Sequence, residues 1–266
     1  MVPDLLKRLP GDFKSYHEPF MGGGALFFAL HRKGLLNDKE AFLSDVNQEL
    51  VDTYIAIRDR VEAVIRNLKK HDYNKEHYYE VRSWEPSELS LPKRAARMIF
   101  LNRAGFNGLY RVNSKGKFNV PFGRYVNPTI CNSENLRAVA LTLKQVTISC
   151  ESFDKVMGRA RKNDLVYFDP PYVPLSRTAK FVSYASDGFG FQDQEHLADV
   201  FARLSKKGVR VMLSNSDTPW VRRRYEAIDS ARLDTVLARR SVNSCKDRRG
   251  PIGELVVLNY PVTEND

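Results

Sequence analysis

The residues best suited to chemistry are Asp169-Pro170-Pro171-Tyr172. Proline has no N–H, so this tetrad offers main-chain carbonyls and one carboxylate, all acceptors, with a flat ring beside them. An amino group with two hydrogens to donate, carried on a flat heterocycle, suits such a surface. The preceding Leu165-Val166-Tyr167-Phe168 is apolar and β-favouring, so the tetrad reads as a rigid turn ending a buried strand. A strand stopped by two prolines beside a packed tyrosine has the same four letters, and the tetrad alone does not separate the two readings.

A second constellation precedes it. Glu18-Pro19-Phe20-Met21-Gly22-Gly23-Gly24 follows an expected short strand at residues 15–18 and leads into the apolar helix start Ala25-Leu26-Phe27-Phe28-Ala29-Leu30. Strand, glycine loop and helix in that order let a ligand approach the backbone, because glycine lacks the Cβ that would block it. A third glycine of G-x-G-x-x-G would fall at Phe27, so the dinucleotide fingerprint fails and no pyrophosphate cradle is implied. Ala41-Phe42-Leu43-Ser44-Asp45 reads as a second strand, with its terminal acid 21 residues beyond Gly24. Doubly wound sheets use an acid at about that spacing to accept hydrogen bonds from ribose hydroxyls. A nucleoside cofactor without a pyrophosphate fits, and S-adenosylmethionine is the obvious candidate. Locally, a tight glycine turn and a helix cap at Asp45-Val46-Asn47 are the alternatives; Asp45 on the ligand with Asn47 as the cap satisfies both.

The elements that must position these groups fit one large domain, or one domain with a sizeable insertion, since the chain has 266 residues and is 42% hydrophobic. Lys and Arg number 42 against 32 Asp and Glu, a formal charge of +10, which favours a polyanionic partner such as nucleic acid. Cys131, Cys150 and Cys245 form no C-x-x-C pair and have no histidine at ligand spacing, so reduced thiols and no structural metal are expected. No apolar run approaches a membrane span and no secretory leader opens the chain, so the expected protein is soluble and cytoplasmic.

Apolar residues from Leu50 to Leu68 recur at three and four, giving a long core-facing helix. Residues 71–135 change character: aromatics, prolines and basic residues interleave, and only residues 94–101 read as helical. Such a segment cannot bury much apolar surface by itself. Its arginines, amides and aromatics match what reads DNA, although a basic insertion packed on its own aromatics has the same composition. Further on, the patterns give a helix near residues 135–143, a strand at 146–149, a possible lid at 173–190, a helix at 193–207 and a strand at 209–215. Strands follow at 233–237 and 254–260, joined by a basic loop.

Taken together, these stretches resemble the Dam-type, GATC-specific (D12 class) DNA adenine-N6 methyltransferases. The resemblance runs in order through Glu18-Pro19-Phe20 with its glycines, Ser44-Asp45-Val46-Asn47, residues 102–111 and 118–125, the tetrad with Val173-Pro174-Leu175-Ser176, Ser214-Asn215 and Arg239-Arg240-Ser241. It implies an α/β fold: a Rossmann-like S-adenosylmethionine-dependent methyltransferase core, formed by residues 1–70 and 136–266, with an inserted, mostly helical and hairpin DNA-recognition domain at 71–135. It further implies a target adenine rotated out of duplex DNA onto Asp169, Pro170, Pro171 and Tyr172, and no metal. Glu18, Pro19, Phe20, Gly22, Gly24, Asp45, Ser152, Phe153 and Asp169 are implied for the cofactor. Phe106 is implied as a wedge, Asn107, Leu109, Arg111 and Pro121 at bases or adjoining backbone, and Arg124 nearby as part of the DNA-binding set. The implied enzyme is bacterial or phage-encoded and acts on chromosomal DNA as a monomer.

The family's opening Lys-Trp-Ala-Gly-Gly-Lys-like run has no counterpart, because the chain starts at about the residue that would follow it. A truncated or misassigned start is the expectation; a silent DNA-binding homologue, or an enzyme for another amino group in RNA or a glutamine side chain, is the alternative.

Overall fold

A computed structural model of the chain describes residues 1–173, 189–239 and 251–262. Residues 174–188 of the lid expected at 173–190 and most of the basic loop lie outside the described residues, as does Cys245. Two compact units share the chain, Met1–Val46 with Glu151–Asp266, and Asn47–Cys150. The expected recognition segment, residues 71–135, falls wholly in the second.

In chain order the first unit begins with α1 (Val2–Leu6), β1 (Tyr16–Glu18), α2 (Ala25–Arg32) and β2 (Ala41–Asp45). The second unit holds α3 (Gln48–Leu68), α4 (Lys75–Ser83), α5 (Leu91–Ala104), α6 (Ser133–Leu143) and β3 (Val146–Cys150). The first unit resumes with α7 (Val156–Arg159), β4 (Leu165–Phe168), α8 (Phe191–Lys206), β5 (Arg210–Ser216), α9 (Pro219–Glu226), β6 (Arg232–Arg239) and β7 (Pro251–Leu258).

Within the first unit the strands lie in the order β2-β1-β4-β5-β7-β6, parallel from β2 to β5, with β7 antiparallel to both of its neighbours. Tyr16 is registered against Ala41 on one side and Leu165 on the other. The chain leaves β1 towards β2 in one direction and runs from β4 to β5 in the other, so the order reverses between β1 and β4. That reversal opens a crevice at the carboxyl ends of these two strands, where open α/β sheets bind ligands. It makes this unit a Rossmann-like core.

β4 sits mid-sheet, and all four of its residues are buried, as a parallel strand covered on both faces requires. α8 covers it with Leu197, Val200, Phe201 and Leu204, the face that the sequence predicts, and Gly208 follows the helix with φ of 73°. α9 was not anticipated. Its start signal is nevertheless local: the Thr218 hydroxyl accepts from Val221 N at 3.2 Å, and Pro219 occupies the first turn.

In the second unit Asn47 caps α3, its Oδ1 accepting from Glu49 N and Leu50 N at 3.1 and 3.2 Å. α3 is broken at Arg60, which has φ of −142° and ψ of 36°. The expectation of one helix within residues 71–135 needs correction: α4 and a longer α5 are both present. Tyr78 and Val81 of α4, with Ala96, Phe100, Leu101 and Ala104 of α5, cluster with Ile57, Ile65 and Leu68 of α3. The segment therefore buries substantial apolar surface against α3 instead of standing alone. Its tyrosines and arginines concealed the helical period.

Candidate active site

The crevice is built first by the glycine loop. Glu18, the last residue of β1, turns inward and is 2% exposed. Its Oε2 accepts from the Tyr16 hydroxyl at 2.7 Å and from Phe27 N at 3.2 Å, joining the strand to the first turn of α2. Burial pushes the Glu18 carboxyl up to about 8 despite the Tyr16 bond. Gly24 caps α2 with φ of 62°, a left-handed conformation that a Cβ disfavours. Met21 N donates to Ser44 O at 2.9 Å, and Gly22 N donates to Asp45 Oδ2 at 3.1 Å, so the loop leans on the end of β2.

Loop, β2 end and tetrad enclose a cavity of about 600 Å³. Phe20, Gly22, Asp45, Ser152 and Phe153 line it together with Asp169, Pro170, Pro171 and Tyr172. Glu18, Pro19 and Gly24 are not among the lining residues; Glu18 and Gly24 instead tie the loop to the start of α2. Phe20 stacks on Phe153 with ring centroids 5.3 Å apart and planes 21° from parallel. Phe168 and Phe189 meet Phe20 edge-on. The result is a flat aromatic wall next to a carboxylate, a surface whose chemistry suits a planar ring and hydroxyl donors.

Asp169 is exposed, but what it is exposed to is this cavity. Surrounding protein therefore desolvates it more than its accessible area implies. Desolvation pushes its carboxyl up to about 6, against a hydrogen bond from Tyr172 that lowers it, and nearby Glu254 adds to the rise. The Tyr172 hydroxyl also reaches Glu254 Oε2 at 3.3 Å, and burial together with the two carboxylates raises it well above the usual phenol range. Among the described residues no donor engages the Pro170 carbonyl. Val46, Phe189 and Asp193 complete the lining without having been predicted, and Glu254 was also missed. No group of three or more His, Cys, Asp and Glu able to hold a metal occurs among the described residues, and no described helix is long and apolar enough to cross a membrane.

The second unit presents the other predicted residues on a stretch with hairpin-like pairing. Phe106 N donates to Pro121 O at 2.9 Å, Asn119 N to Arg111 O at 2.9 Å and Asn113 N to Lys117 O at 2.9 Å. α4 holds its returning arm: the Tyr78 hydroxyl and Arg82 Nη1 both donate to Val120 O, at 2.9 and 3.1 Å. Asn107 has φ of 55°, a conformation that asparagine tolerates, and this bend leaves Phe106 48% and Leu109 47% exposed. Asn107, Arg111, Pro121 and Arg124 are exposed as well. Large apolar side chains held in water between cations form a surface for a polyanion with planar bases.

Residues 1–241 match the family model described as D12 class N6 adenine-specific DNA methyltransferase. The chain is 39% identical over 268 residues to the Type II methyltransferase M1.LlaDCHI of Lactococcus lactis subsp. cremoris, covering 98% of this chain and 91% of that protein. It is 39% identical over 273 residues to the Type II methyltransferase M.MjaIII of Methanocaldococcus jannaschii, covering 97% and 92%. To the DNA adenine methylase of Escherichia coli (strain K12) it is 35% identical over 266 residues, covering 98% and 91%.

Proposed function

This chain belongs to the D12 class of N6 adenine-specific DNA methyltransferases and methylates adenine in DNA, and from that premise we propose how its site works and where it acts. S-adenosylmethionine is the donor, held by the Phe20 and Phe153 rings, the Asp45 carboxylate and the glycine loop. The donor set fits: aromatic faces, a ribose acceptor and a backbone that approaches closely at Gly22, with no phosphate cradle. When bound, this cofactor supplies an electrophilic methyl group.

The protein's own work is on the acceptor. The exocyclic nitrogen of adenine is a poor nucleophile because its lone pair is delocalised into the ring. The acceptor-only turn in the cavity is the observation that carries the mechanism. Asp169 and the Pro170 carbonyl accept the two N–H bonds, draw the nitrogen towards tetrahedral geometry and localise its lone pair. Tyr172 stacks on the base, which is rotated out of the duplex, and offsets the few kcal/mol of unstacking. Phe106 wedges the duplex, Arg111 reads guanine, Asn107, Leu109 and Pro121 meet bases or adjoining backbone, and Arg124 lies close by. GATC in duplex DNA is the site, and the enzyme acts as a monomer.

Expression in a host without adenine methylation, followed by digestion of its DNA with endonucleases that differ in tolerance of methylated GATC, tests this reading. Protection from the methylation-sensitive enzyme alone is the expected result. Methylated adenine at other sequences only overturns GATC, and no methylated adenine overturns the activity. Calorimetric titration with S-adenosylmethionine tests the donor separately.

A further inference from the structure

The tetrad presents a positioning problem. Its two prolines have no N–H, so the middle of the turn has no main-chain donor by which it can be tied down. It must be held through its carbonyls and through the residue that follows. Two buried amides do this, Gln194 from α8 and Asn215 from β5, at 1% and 0% exposure.

Asn215 Oδ1 accepts from Val173 N at 3.2 Å and from Ser216 N at 2.8 Å. Those two donors fix which way this amide points, so its Nδ2 is the atom facing Gln194, donating to Oε1 at 3.0 Å. The second amide is thereby oriented too, and Gln194 Nε2 donates to Pro171 O at 2.7 Å. The Ser216 hydroxyl closes the other side by donating to Val173 O at 2.5 Å. The carbonyls of Pro171 and Val173 are thus engaged, whereas that of Pro170 has no donor among the described residues.

We propose that Gln194 and Asn215 are positioning residues of the methyl-transfer site: by engaging the neighbouring backbone they fix the turn and leave Pro170 O as the main-chain acceptor for the target amino group. This rests on the function proposed above. Neither residue touches the base. The relay acts because a linked, buried hydrogen-bond network holds a turn more rigidly than isolated contacts do, and a carbonyl displaced by about 1 Å can cost on the order of 10²-fold in rate.

The test is single-turnover methyl transfer from tritiated S-adenosylmethionine to a GATC duplex, with Gln194→Leu and Asn215→Asp. Gln194→Leu removes the donor to Pro171. Asn215→Asp keeps the shape and both backbone contacts but sets an acceptor against Gln194 Oε1, reversing or breaking the relay. Each variant is expected to lower the rate constant by on the order of 10²-fold while duplex and donor dissociation constants stay within about twofold. A purely structural role lowers melting temperature and reaction amplitude but leaves the rate constant of the folded fraction unchanged; that result overturns the proposal. If Gln194→Leu does not fold, the isosteric Asn215→Asp decides by the same criterion. A parent protein that transfers no methyl group to this duplex or to any other adenine-containing duplex overturns the underlying function, and transfer to another duplex alone moves the same comparison onto that duplex; both outcomes are distinct from an active parent with unaffected variants.

Discussion

The guanidinium of Arg111 rests on Asn119, with Nε 2.7 Å from its Oδ1 and Nη2 3.1 Å from its backbone carbonyl. An exposed arginine held in this way has lost rotamer freedom before any partner arrives, which lowers the entropic cost of presenting its donors to a guanine edge. Arg111→Ala is expected to relax discrimination at one guanine by about 1–3 kcal/mol. Asn119→Ala is expected to move specificity in the same direction by less, because the guanidinium remains but is no longer preset. Comparing methylation rates on duplexes with the cognate and an altered base pair measures both, and an unchanged ratio for Arg111→Ala rules out its role.

Asp169 must be ionised to accept an N–H bond with full strength, and its carboxyl is pushed up to about 6 by desolvation. The methyl-transfer rate is therefore expected to fall as pH drops through about 6 and to level off above it. Asp169→Ala is expected to abolish transfer while leaving duplex binding largely intact. Rates across pH 5–8 with saturating donor and DNA, together with a binding titration, check both statements; near-normal turnover in the variant is incompatible with the mechanism.

Glu18 makes a stability prediction of definite sign. Its carboxyl goes from an ordinary 4.5 to about 8 on folding, so the proton is held more tightly in the native state. The stability this provides is complete below about pH 4.5 and is lost as pH rises through about 8. Glu18→Gln has no proton to lose and keeps an oxygen for Tyr16 and Phe27 N. Its unfolding free energy should gain on that of the parent as pH rises from about 4.5 to 8, by a difference on the order of 3–5 kcal/mol. A difference independent of pH would show that Glu18 does not titrate in this way.

Asp45 accepts from Gly22 N and faces the cavity, so it has two tasks. Asp45→Ala is expected to weaken S-adenosylmethionine binding by roughly 10- to 100-fold, the worth of one or two hydrogen bonds to a charged group. Duplex affinity measured without donor should be unchanged. Calorimetry with the donor and fluorescence titration with DNA separate the two effects.

What the sequence determined by itself is what neighbouring residues dictate. Two prolines after an apolar run make an acceptor-only turn wherever they fold, and β4 ends at Phe168 as the run predicts. Ala41–Asp45 is a strand with the predicted bounds, Asn47 is a cap, and the buried face of α8 repeats every three or four residues. The second unit was less legible, because α4 is written in tyrosine, arginine and histidine, whose burial depends on packing against α5 and not on local period. Only the tertiary structure decided which side chains surround the tetrad. Tyr172 meets Glu254 82 positions away, and Pro171 meets Gln194 23 positions away, because β7 runs antiparallel beside β5 and α8 packs over β4. Such pairings follow from strand register and helix packing, which no spacing along the chain encodes.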